Sequence, residues 1–491
     1  MSEPRFSVPG MLIDGEWVPS GENGLMEVRS PYDDGLVAQV PAGGPRDVRR
    51  AVAAAAAALR RADFSRTDRI RVLEQTAAAL NDRQEHFAKA IAHESAKPLK
   101  TARVEAARAV ETFAFAAAEA RMLGGEMVPM EATPAGAGKT AFTLRVPVGV
   151  VAAISPFNFP LNLVAHKLAP AIAAGCPVVL KPASQTPVSS LLLAELLNGL
   201  GVPAGWLNVV TGSGSTVGEP LATHDDVAYI TFTGSAEVGW AMAAKAARKK
   251  VRLELGSNSP LIIDSPSDWA TAAAKVAVAG FSHAGQSCIS TQRVYVHADV
   301  ADDFIDALVG KVEALTVGDP ADDGTDVSSL ISKGDTDRVK EWIDEAVAAG
   351  AKVLAGGEVV EMGVAGRSDG GVARVLPPTV VEGAPSDVRL QCQEVFGPVV
   401  TVTRYRSFDE ALTLANDSRY GLQAGVFTSD LGKALQAAKT LEYGGVIIND
   451  VPTFRADQQP YGGVKDSGNT REGPRYAIEE MTELRLVSLQ P

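Results

Sequence analysis

The chain has little cysteine, no excess of positive charge and no long apolar run. Only Cys176, Cys288 and Cys392 occur among its 491 residues, too few and too scattered for a disulfide framework. A formal net charge of -13 argues against a general binder of nucleic acid, which needs clustered positive charge. Since no stretch of about 18 uninterrupted apolar residues is present, and no basic segment leads into an apolar one at the start, we expect no membrane association and a cytoplasmic protein.

Alternating patterns predict two α/β regions. Hydrophobic residues make up 46% of the chain, enough for a large core and two or three domains. Residues 11–44 read as a hairpin or small sheet, and 46–123 have helical spacing. Residues 148–264 alternate short apolar strands with helices, as in a parallel sheet with crossover helices, and a second alternating region runs to about residue 450. The C-terminal segment "TELRLVSLQP" reads as a strand without a partner in either region, which favours pairing across a subunit interface.

One cysteine lies in an unusual setting. Cys288, in "SHAGQSCIST", is surrounded by small polar residues, whereas a packing cysteine normally has apolar neighbours. Cys176 precedes an apolar run and reads as buried, and Cys392 has no supporting pattern. His283 is the nearest potential ligand, and no further Cys or His follows at a zinc-site spacing, so we expect no metal. A reactive thiol is the remaining interpretation of Cys288.

Parallel sheets bind ligands at the carboxyl ends of their strands. The stretch "VAYITFTGSAEVG" delivers Gly234 and Ser235 to the start of a helix, where free N–H groups favour a phosphate. The usual G-x-G-x-x-G fingerprint is absent, so spacing alone leaves open a nucleotide site and an ordinary strand-to-helix turn. Lys181, after another buried strand, is consistent with a ligand cleft or with a salt bridge.

Two further polar residues follow strands on the same side. Asn158 in "SPFNFP" can donate to a developing oxyanion, and Glu254 in "LELGSN" can serve as a general base if burial raises its pKa. Taken singly, they also read as a turn residue and an exposed carboxylate. Together with Cys288 they supply a nucleophile, an oxyanion donor and a base.

The ordered motifs resemble the NAD(P)-dependent aldehyde dehydrogenase superfamily over essentially the whole chain. They are "SPFNFP", "KPASQTP", "FTGSAEVG", "LELGSN", "GQSC", "EVFGPV" and "PYGGVKDSG". The resemblance implies an α/β fold with a Rossmann-type cofactor domain, an α/β catalytic domain and a small β oligomerisation element, assembled as a homodimer or homotetramer. The implied ranges are 1–126 with 148–256, 257–465, and 127–147 with 466–491.

The resemblance also implies roles for individual residues. Cys288 would be the nucleophile that forms a thiohemiacetal and then a thioester, Glu254 the base for deacylation, and Asn158 with the Cys288 backbone N–H the oxyanion hole. Lys167 resembles a lysine associated with proton relay. The positions implied for NAD or NADP are Ile154, Ser155, Pro156, Phe157, Lys181, Ser184, Gly214, Phe232, Gly234, Ser235, Val238, Leu255, Gly256, Glu394 and Phe396.

Departures from the family pattern bear on specificity. Ser184 replaces a glutamate that grips the adenosine ribose in many NAD-preferring relatives, and its absence permits NADP. The role of Ser257, in place of a common glycine, stays open.

The segments "REGPRYAIEEMTE" and "GSNSP" resemble the branch with lactaldehyde, phosphonoacetaldehyde, succinate-semialdehyde and non-phosphorylating glyceraldehyde-phosphate dehydrogenases. Many of these aldehydes are anionic. Arg108 would then pair with a carboxylate or phosphonate, or form a surface salt bridge. Phe159 and Ser287 would lie beside the substrate, and their identity argues against a dedicated phosphonate pocket. A coenzyme A-acylating enzyme and a non-enzymic protein are alternatives; Glu254 argues against the first, and no catalytic residue is lost, as the second would require.

Overall fold

The computed structural model describes residues 4–364 and 371–490. Residues 1–3, 365–370 and 491, which fall within the predicted domain ranges, lie outside the described residues. Four short strands open the chain, and four helices follow. They are β1 (Met11–Ile13), β2 (Glu16–Val18), β3 (Leu25–Arg29), β4 (Leu36–Pro41), α1 (Pro45–Arg61), α2 (Arg66–Asp82), α3 (Gln84–Ser95) and α4 (Leu99–Met122).

A first sheet contains seven strands in the order β11-β10-β7-β8-β9-β1-β2. Its central strands run parallel, as the alternating pattern predicts. After β5 (Met127–Val128) and β6 (Thr140–Pro147), its elements are β7 (Val150–Ile154), α5 (Asn162–Ala174), β8 (Val178–Lys181), α6 (Val188–Gly199), β9 (Leu207–Val209), α7 (Glu219–Thr223), β10 (Val227–Thr233), α8 (Ala236–Lys245) and β11 (Lys250–Glu254). The predicted N-terminal hairpin is divided, since β3 pairs with β4 while β1 and β2 join this sheet.

A second seven-stranded sheet has the order β14-β17-β18-β13-β12-β19-β20. It is parallel except for β14, which pairs antiparallel with β17. Its region contains β12 (Pro260–Ile263), α9 (Trp269–Ala279), β13 (Arg293–His297), α10 (Ala301–Glu313), α11 (Lys333–Ala348), β14 (Lys352–Ala355), β15 (Val360–Gly363), β16 (Val372–Val375), β17 (Thr379–Glu382), α12 (Arg389–Cys392), β18 (Val399–Tyr405), α13 (Phe408–Asn416), β19 (Gln423–Phe427), α14 (Leu431–Thr440) and β20 (Gly445–Ile448). The α/β fold class is thereby confirmed.

The C-terminal strand belongs to a separate small sheet. After α15 (Pro474–Glu480), β21 (Thr482–Leu489) pairs antiparallel with β6 along its whole length, from Thr482 opposite Pro147 to Leu489 opposite Thr140. With β5 they form a three-stranded sheet. The partner strand β6 lies outside both α/β regions, within the range 127–147 that the family resemblance groups with the C-terminal segment. Pairing of this sheet across a subunit interface stays a prediction.

The core explains why the strands of the first sheet read as continuous apolar runs. All five residues of β7 are buried, and every residue of α5, which packs near it, is buried as well. A parallel sheet covered on both faces has no solvent side, so its strands do not alternate. Cys176 is fully buried in this core, as predicted.

Candidate active site

Three of the four predicted catalytic residues, Asn158, Glu254 and Cys288, line one cavity of about 1140 Å³. Asn158 lies in the loop between β7 and α5, Glu254 ends β11, and Cys288 follows the helical turn Ser282–Gly285. Because β7, β10 and β11 run parallel, the loop after β7 and the end of β11 meet at the same edge of the sheet. Cys288 comes from the region of the second sheet and lines the same cavity, although it lies 130 positions after Asn158 in sequence.

A tight backbone turn presents the thiol. His283 and Ala284 have φ of 50° and 53°, and Gly285 has φ of 69°. A Cβ on Gly285 would lie 2.0 Å from the Gly397 carbonyl oxygen, so no other residue fits there without displacing the backbone. The glycine in "AGQSC" therefore lets this segment lie against the loop that carries Phe396.

A buried ion pair between Glu105 and Lys97 stabilises the loop that carries Asn158. Glu105 accepts hydrogen bonds from the backbone N–H groups of Leu161 (2.9 Å) and Asn162 (3.1 Å), and its charge is paired with Lys97, both side chains being 1% exposed. The Asn158 amide donates one hydrogen bond to the Gln286 carbonyl (3.0 Å). Since an amide nitrogen has two hydrogens, one donor is left for a substrate oxygen.

Glu254 has the environment of a general base. Its carboxylate is buried, and neither oxygen has a hydrogen-bond partner among the residues that the structure describes. Burial, and then the charge of Glu472, raise its pKa well above the ordinary carboxylate value, while Arg455 and Lys167 oppose the shift. A carboxylate with a raised pKa is a stronger base towards water than an ordinary carboxylate.

Cys288 is half-buried, and its Sγ lies 2.9 Å from the hydroxyl of Tyr461. Burial raises the pKa of the thiol to about 12; the hydrogen bond to Tyr461 and the charge of Arg455 act in the opposite direction. The thiol is thus protonated at neutral pH in this arrangement, and formation of the thiolate needs a base or a stabilising partner.

The sequence reasoning did not single out Tyr461, Arg455 or Glu472. The guanidinium of Arg455 lies 3.7 Å from the ring centroid of Tyr461 and pairs with Glu472 at 3.0 Å. Glu472 in turn lies 3.4 Å from Lys167 Nζ. Tyr461 falls inside the recognised motif "PYGGVKDSG" and Glu472 inside the quoted segment "REGPRYAIEEMTE", which were available signals, but no quoted motif contains Arg455.

Lys167 lies behind Glu254, away from the cavity lining. Its fully buried ammonium group donates to Thr233 (2.7 Å) and Thr231 (3.0 Å). Burial lowers its pKa, and the neighbouring charges of Glu472 and Glu254 partly restore it. A lysine with a lowered pKa between two carboxylates can exchange a proton with either of them.

All fifteen residues predicted to hold the dinucleotide line the same cavity, and the backbone fits such a ligand. A Cβ on Gly256 would lie 2.1 Å from Glu394 Oε2, so the glycine permits the approach of that carboxylate, which also accepts a hydrogen bond from Ser257 N (2.9 Å). Ser235 precedes α8, so the N-terminal N–H groups of this helix can meet the pyrophosphate. Phe157 and Phe396 meet edge to face, with their centroids 5.7 Å apart.

Lys181 and Ser184, the residues predicted to bind the adenosine end, both line the cavity. Lys181 Nζ donates to the Pro182 carbonyl (2.8 Å), and burial lowers the pKa of this lysine to about 8. The Ser184 hydroxyl donates to the Gly212 carbonyl (2.8 Å). Position 184 therefore carries a hydroxyl and no acidic group. The buried Lys181, whose ammonium group donates only to a carbonyl, can turn towards a phosphate.

The three predicted substrate residues are placed differently. Arg108 makes a two-pronged ion pair with Asp457, through Nη2 (2.8 Å) and Nε (3.1 Å), with 24% of its side chain exposed. Phe159 lies between Lys97, 3.7 Å from the ring centroid, and His283, whose ring centroid is 6.5 Å away. Ser287 is half-buried beside Cys288.

The described ranges contain neither a metal-binding cluster nor a helix suited to a membrane. Residues 4–364 and 371–490 contain no cluster of three or more His, Cys, Asp or Glu side chains suited to a metal ion. The same part of the chain has no helix that is long and apolar enough to cross a membrane.

Residues 17–487 match the aldehyde dehydrogenase family, so a fold and a cysteine site of this kind have known counterparts. The chain belongs to that family. It is an NAD(P)-dependent aldehyde dehydrogenase, an oxidoreductase, as the motifs predict.

Several relatives match this chain over nearly its whole length. The chain is 46% identical over 480 residues to 3-sulfolactaldehyde dehydrogenase of Priestia aryabhattai, covering 98% of both chains. It is 37% identical over 482 residues to lactaldehyde dehydrogenase of Methanocaldococcus jannaschii, covering 97% of this chain and 99% of the other. Aldehyde dehydrogenase 21 of Physcomitrella patens, solved with the reaction product succinate, superposes with a TM-score of 0.92 at 38% identity and 99% coverage of both chains. The M. jannaschii glyceraldehyde-3-phosphate dehydrogenase complexed with NADP gives 0.88 at 36% identity, covering 95% of this chain and 99% of the other.

Proposed function

We propose that this enzyme oxidises a small anionic aldehyde to its carboxylate, with Cys288 as nucleophile, Asn158 as oxyanion donor and Glu254 as general base. The observation that carries the proposal is the single cavity into which all three residues open beside the predicted dinucleotide positions. Neither carboxylate oxygen of Glu254 has a hydrogen-bond partner among the described residues. Either oxygen can therefore accept a proton from water, as a general base must.

The steps follow from the chemistry of these groups. The Cys288 thiolate adds to the aldehyde carbon, and the carbonyl π electrons move to the oxygen, where Asn158 donates a hydrogen bond. NAD or NADP, when bound, accepts the hydride that leaves this carbon. Cys288 then carries a thioester. Glu254 takes a proton from water, the water oxygen attacks the acyl carbon, and the carbon–sulfur bond breaks to release the carboxylate.

The relatives and one buried cation support an anionic substrate. The names of two relatives specify 3-sulfolactaldehyde and lactaldehyde, and one solved relative holds succinate. Arg455 lies close enough to Cys288 for its charge to act on the thiol, and its Nε has no partner among the described residues. A guanidinium in this position suits a sulfonate or carboxylate.

A test of the anionic class compares 3-sulfolactaldehyde and succinate semialdehyde with propanal. A charge-assisted hydrogen bond is worth about 1.5–3 kcal/mol, so kcat/KM for the anions should exceed that for the neutral aldehyde by about 10- to 160-fold. Equal values for the three aldehydes would contradict an anionic preference while leaving the chemistry intact.

The chemistry itself is tested with Cys288→Ala. This variant should lose aldehyde oxidation and keep its affinity for NAD and NADP, because the thiol reacts with the substrate and only borders the cofactor. Cys176→Ala and Cys392→Ala are matched controls and should retain the activity. Addition of coenzyme A to the wild type distinguishes the acylating alternative, since formation of an acyl-coenzyme A would oppose a hydrolytic role for Glu254.

We further propose that NADP is accepted at least as well as NAD, that the chain divides into the ranges given by the family resemblance, and that it works in the cytoplasm as a homodimer or homotetramer. Ser184 supports the first point, and a solved relative holds NADP. The leucines of β21 support association of subunits, since Leu484, Leu486 and Leu489 are 53%, 59% and 51% exposed, an unusual apolar stretch for a free surface. Sedimentation of the purified enzyme would give the number of subunits.

A further inference from the structure

Tyr461 is the only described side chain for which a hydrogen bond to the sulfur of Cys288 is found, at 2.9 Å. Its position is fixed from several sides. Its backbone N–H donates to the Glu472 carbonyl (3.0 Å), and the Glu472 N–H donates back. The Arg455 guanidinium covers its ring at 3.7 Å and is itself tied to Glu472. The hydroxyl is therefore aimed at the sulfur by a rigid support.

The direction of this hydrogen bond depends on the state of the sulfur. A thiol can donate to the tyrosine oxygen or accept from it, whereas a thiolate can only accept. Burial raises the pKa of Tyr461 well above its ordinary value, so the tyrosine keeps its proton. Ionisation of Cys288 thus converts a weak contact into a charge-assisted hydrogen bond, which is shorter and about twice as strong.

The groups around the sulfur make such a partner necessary. Burial disfavours the thiolate, and the carboxylates of Glu394 and Glu254 disfavour it further when they are ionised. Among the described residues, Arg455 is the cation whose charge favours the thiolate, and its charge also acts on Glu472. Among the described neighbours, the Tyr461 hydroxyl and the Arg455 charge oppose the cost of ionisation.

We propose that Tyr461 is a catalytic residue whose hydroxyl donates a hydrogen bond to the Cys288 thiolate, with Arg455 stacked on its ring as electrostatic support. This inference rests on the proposed function, because it takes Cys288 as the nucleophile. The sulfur gives its proton to a base, either water or Glu254, and Tyr461 neither gains nor loses one. When the sulfur attacks the aldehyde, its electron pair forms the carbon–sulfur bond, and the hydrogen bond weakens as the negative charge passes to the carbonyl oxygen.

The test is Tyr461→Phe, which keeps the ring that stacks on Arg455 and removes only the hydroxyl. The rate of alkylation of Cys288 by iodoacetamide is followed against pH, with the modified residue identified by mass spectrometry. The apparent pKa of the thiol should rise by about one to two units. At fixed pH the burst of reduced nicotinamide should be slowed about 10- to 100-fold and should recover as pH increases.

Tyr405→Phe is the matched control. Tyr405 is also buried and also loses a single hydrogen bond, to the Ile263 carbonyl (3.0 Å), but it lies in the second sheet away from the cavity lining. Its alkylation profile should equal that of the wild type. An unshifted profile in Tyr461→Phe would overturn the inference, as would a rise in KM alone, which would place the hydroxyl on the substrate instead.

A second substitution covers the case in which Tyr461→Phe does not fold. Replacement of Tyr461 by 3-fluorotyrosine keeps the ring and the hydroxyl and makes the hydroxyl a stronger donor. The apparent pKa of Cys288 should then fall below the wild-type value, and an unchanged or higher value would overturn the inference. Failure of the proposed function is distinguishable, since it would appear as activity retained in Cys288→Ala whatever the alkylation profiles show.

Discussion

Replacement of Glu254 by glutamine should separate the two halves of the reaction. The change preserves the shape of the side chain and removes the base. Because neither carboxylate oxygen has a hydrogen-bond partner among the described residues, the substitution breaks no structural contact, and the free energy of unfolding should change little. General bases contribute about 10²- to 10⁴-fold to rate, so we expect deacylation to slow by that factor, equivalent to about 2.7–5.4 kcal/mol in the barrier.

The assay mixes the variant rapidly with aldehyde and cofactor and follows the absorbance of reduced nicotinamide. Hydride transfer needs the thiolate and the oxyanion donor, so up to about one equivalent per active site should form before turnover nearly stops. Mass spectrometry should then find the acyl group on Cys288. Glu195→Gln, an exposed carboxylate on α6, is the control and should turn over normally.

The pH dependence adds a second criterion. Burial holds the pKa of Glu254 well above the ordinary carboxylate value, so the base form appears only as pH rises through that elevated pKa. Deacylation in the wild type should therefore accelerate with pH, while the glutamine variant should lack this dependence. Wild-type turnover by Glu254→Gln, with no acyl adduct, would refute the assignment of the base and reopen the coenzyme A-acylating alternative.

Three other substitutions test specificity and cofactor binding. Ser184→Glu should weaken NADP more than NAD, since a carboxylate about 4 Å from the 2′-phosphate costs roughly 1–4 kcal/mol per charge pair; titrations that give an unchanged ratio of the two affinities would place Ser184 away from the 2′-group. Arg108→Ala should raise KM for anionic aldehydes and not for neutral ones if Arg108 anchors the anion, whereas equal effects would mean that its ion pair with Asp457 is structural. Burial raises the pKa of Glu394 to about 7. If its carboxylate holds the ribose hydroxyls, cofactor affinity should increase as pH rises through about 7. Glu394→Gln should abolish that increase in a fluorescence titration, and a pH profile shared by both proteins would argue against the ribose contact.

The sequence predicted the parts of this molecule that depend on local pattern. Buried parallel strands leave an apolar signature, and a strand followed by "TGSAEVG" predicts where a helix begins, so β10 and α8 could be anticipated. The fifteen cofactor positions came from the family resemblance, and all of them line the cavity. The seven motifs gave the family because their order is preserved over the whole chain.

Contacts between distant segments could not be predicted in this way. The partner of Arg108 is Asp457, 349 residues away, and the strand β21 finds its edge on β6. Tyr461 meets Cys288 across 173 residues. Arg108 lies on the helix α4, Asp457 and Tyr461 lie outside the named helices and strands, and β6 and β21 are strands, so only the folding of the whole chain brings these partners together.

The order in which the ribosome makes the chain has a consequence for when the thiol becomes reactive. The strands of the first sheet are complete at Glu254, before Cys288 is synthesised, whereas Tyr461 and Glu472 come long after it. The 184 residues from Cys288 to Glu472 (472 minus 288) take roughly 9 to 37 s at about 5–20 residues per second. During that interval the nascent chain can form the framework around the dinucleotide, but its cysteine is an ordinary thiol without its tyrosine and arginine neighbours. The surroundings described for Cys288 are therefore complete only once Glu472 has been synthesised, and the hydrogen bond to Tyr461 and the charge of Arg455 reach the sulfur only at that late stage.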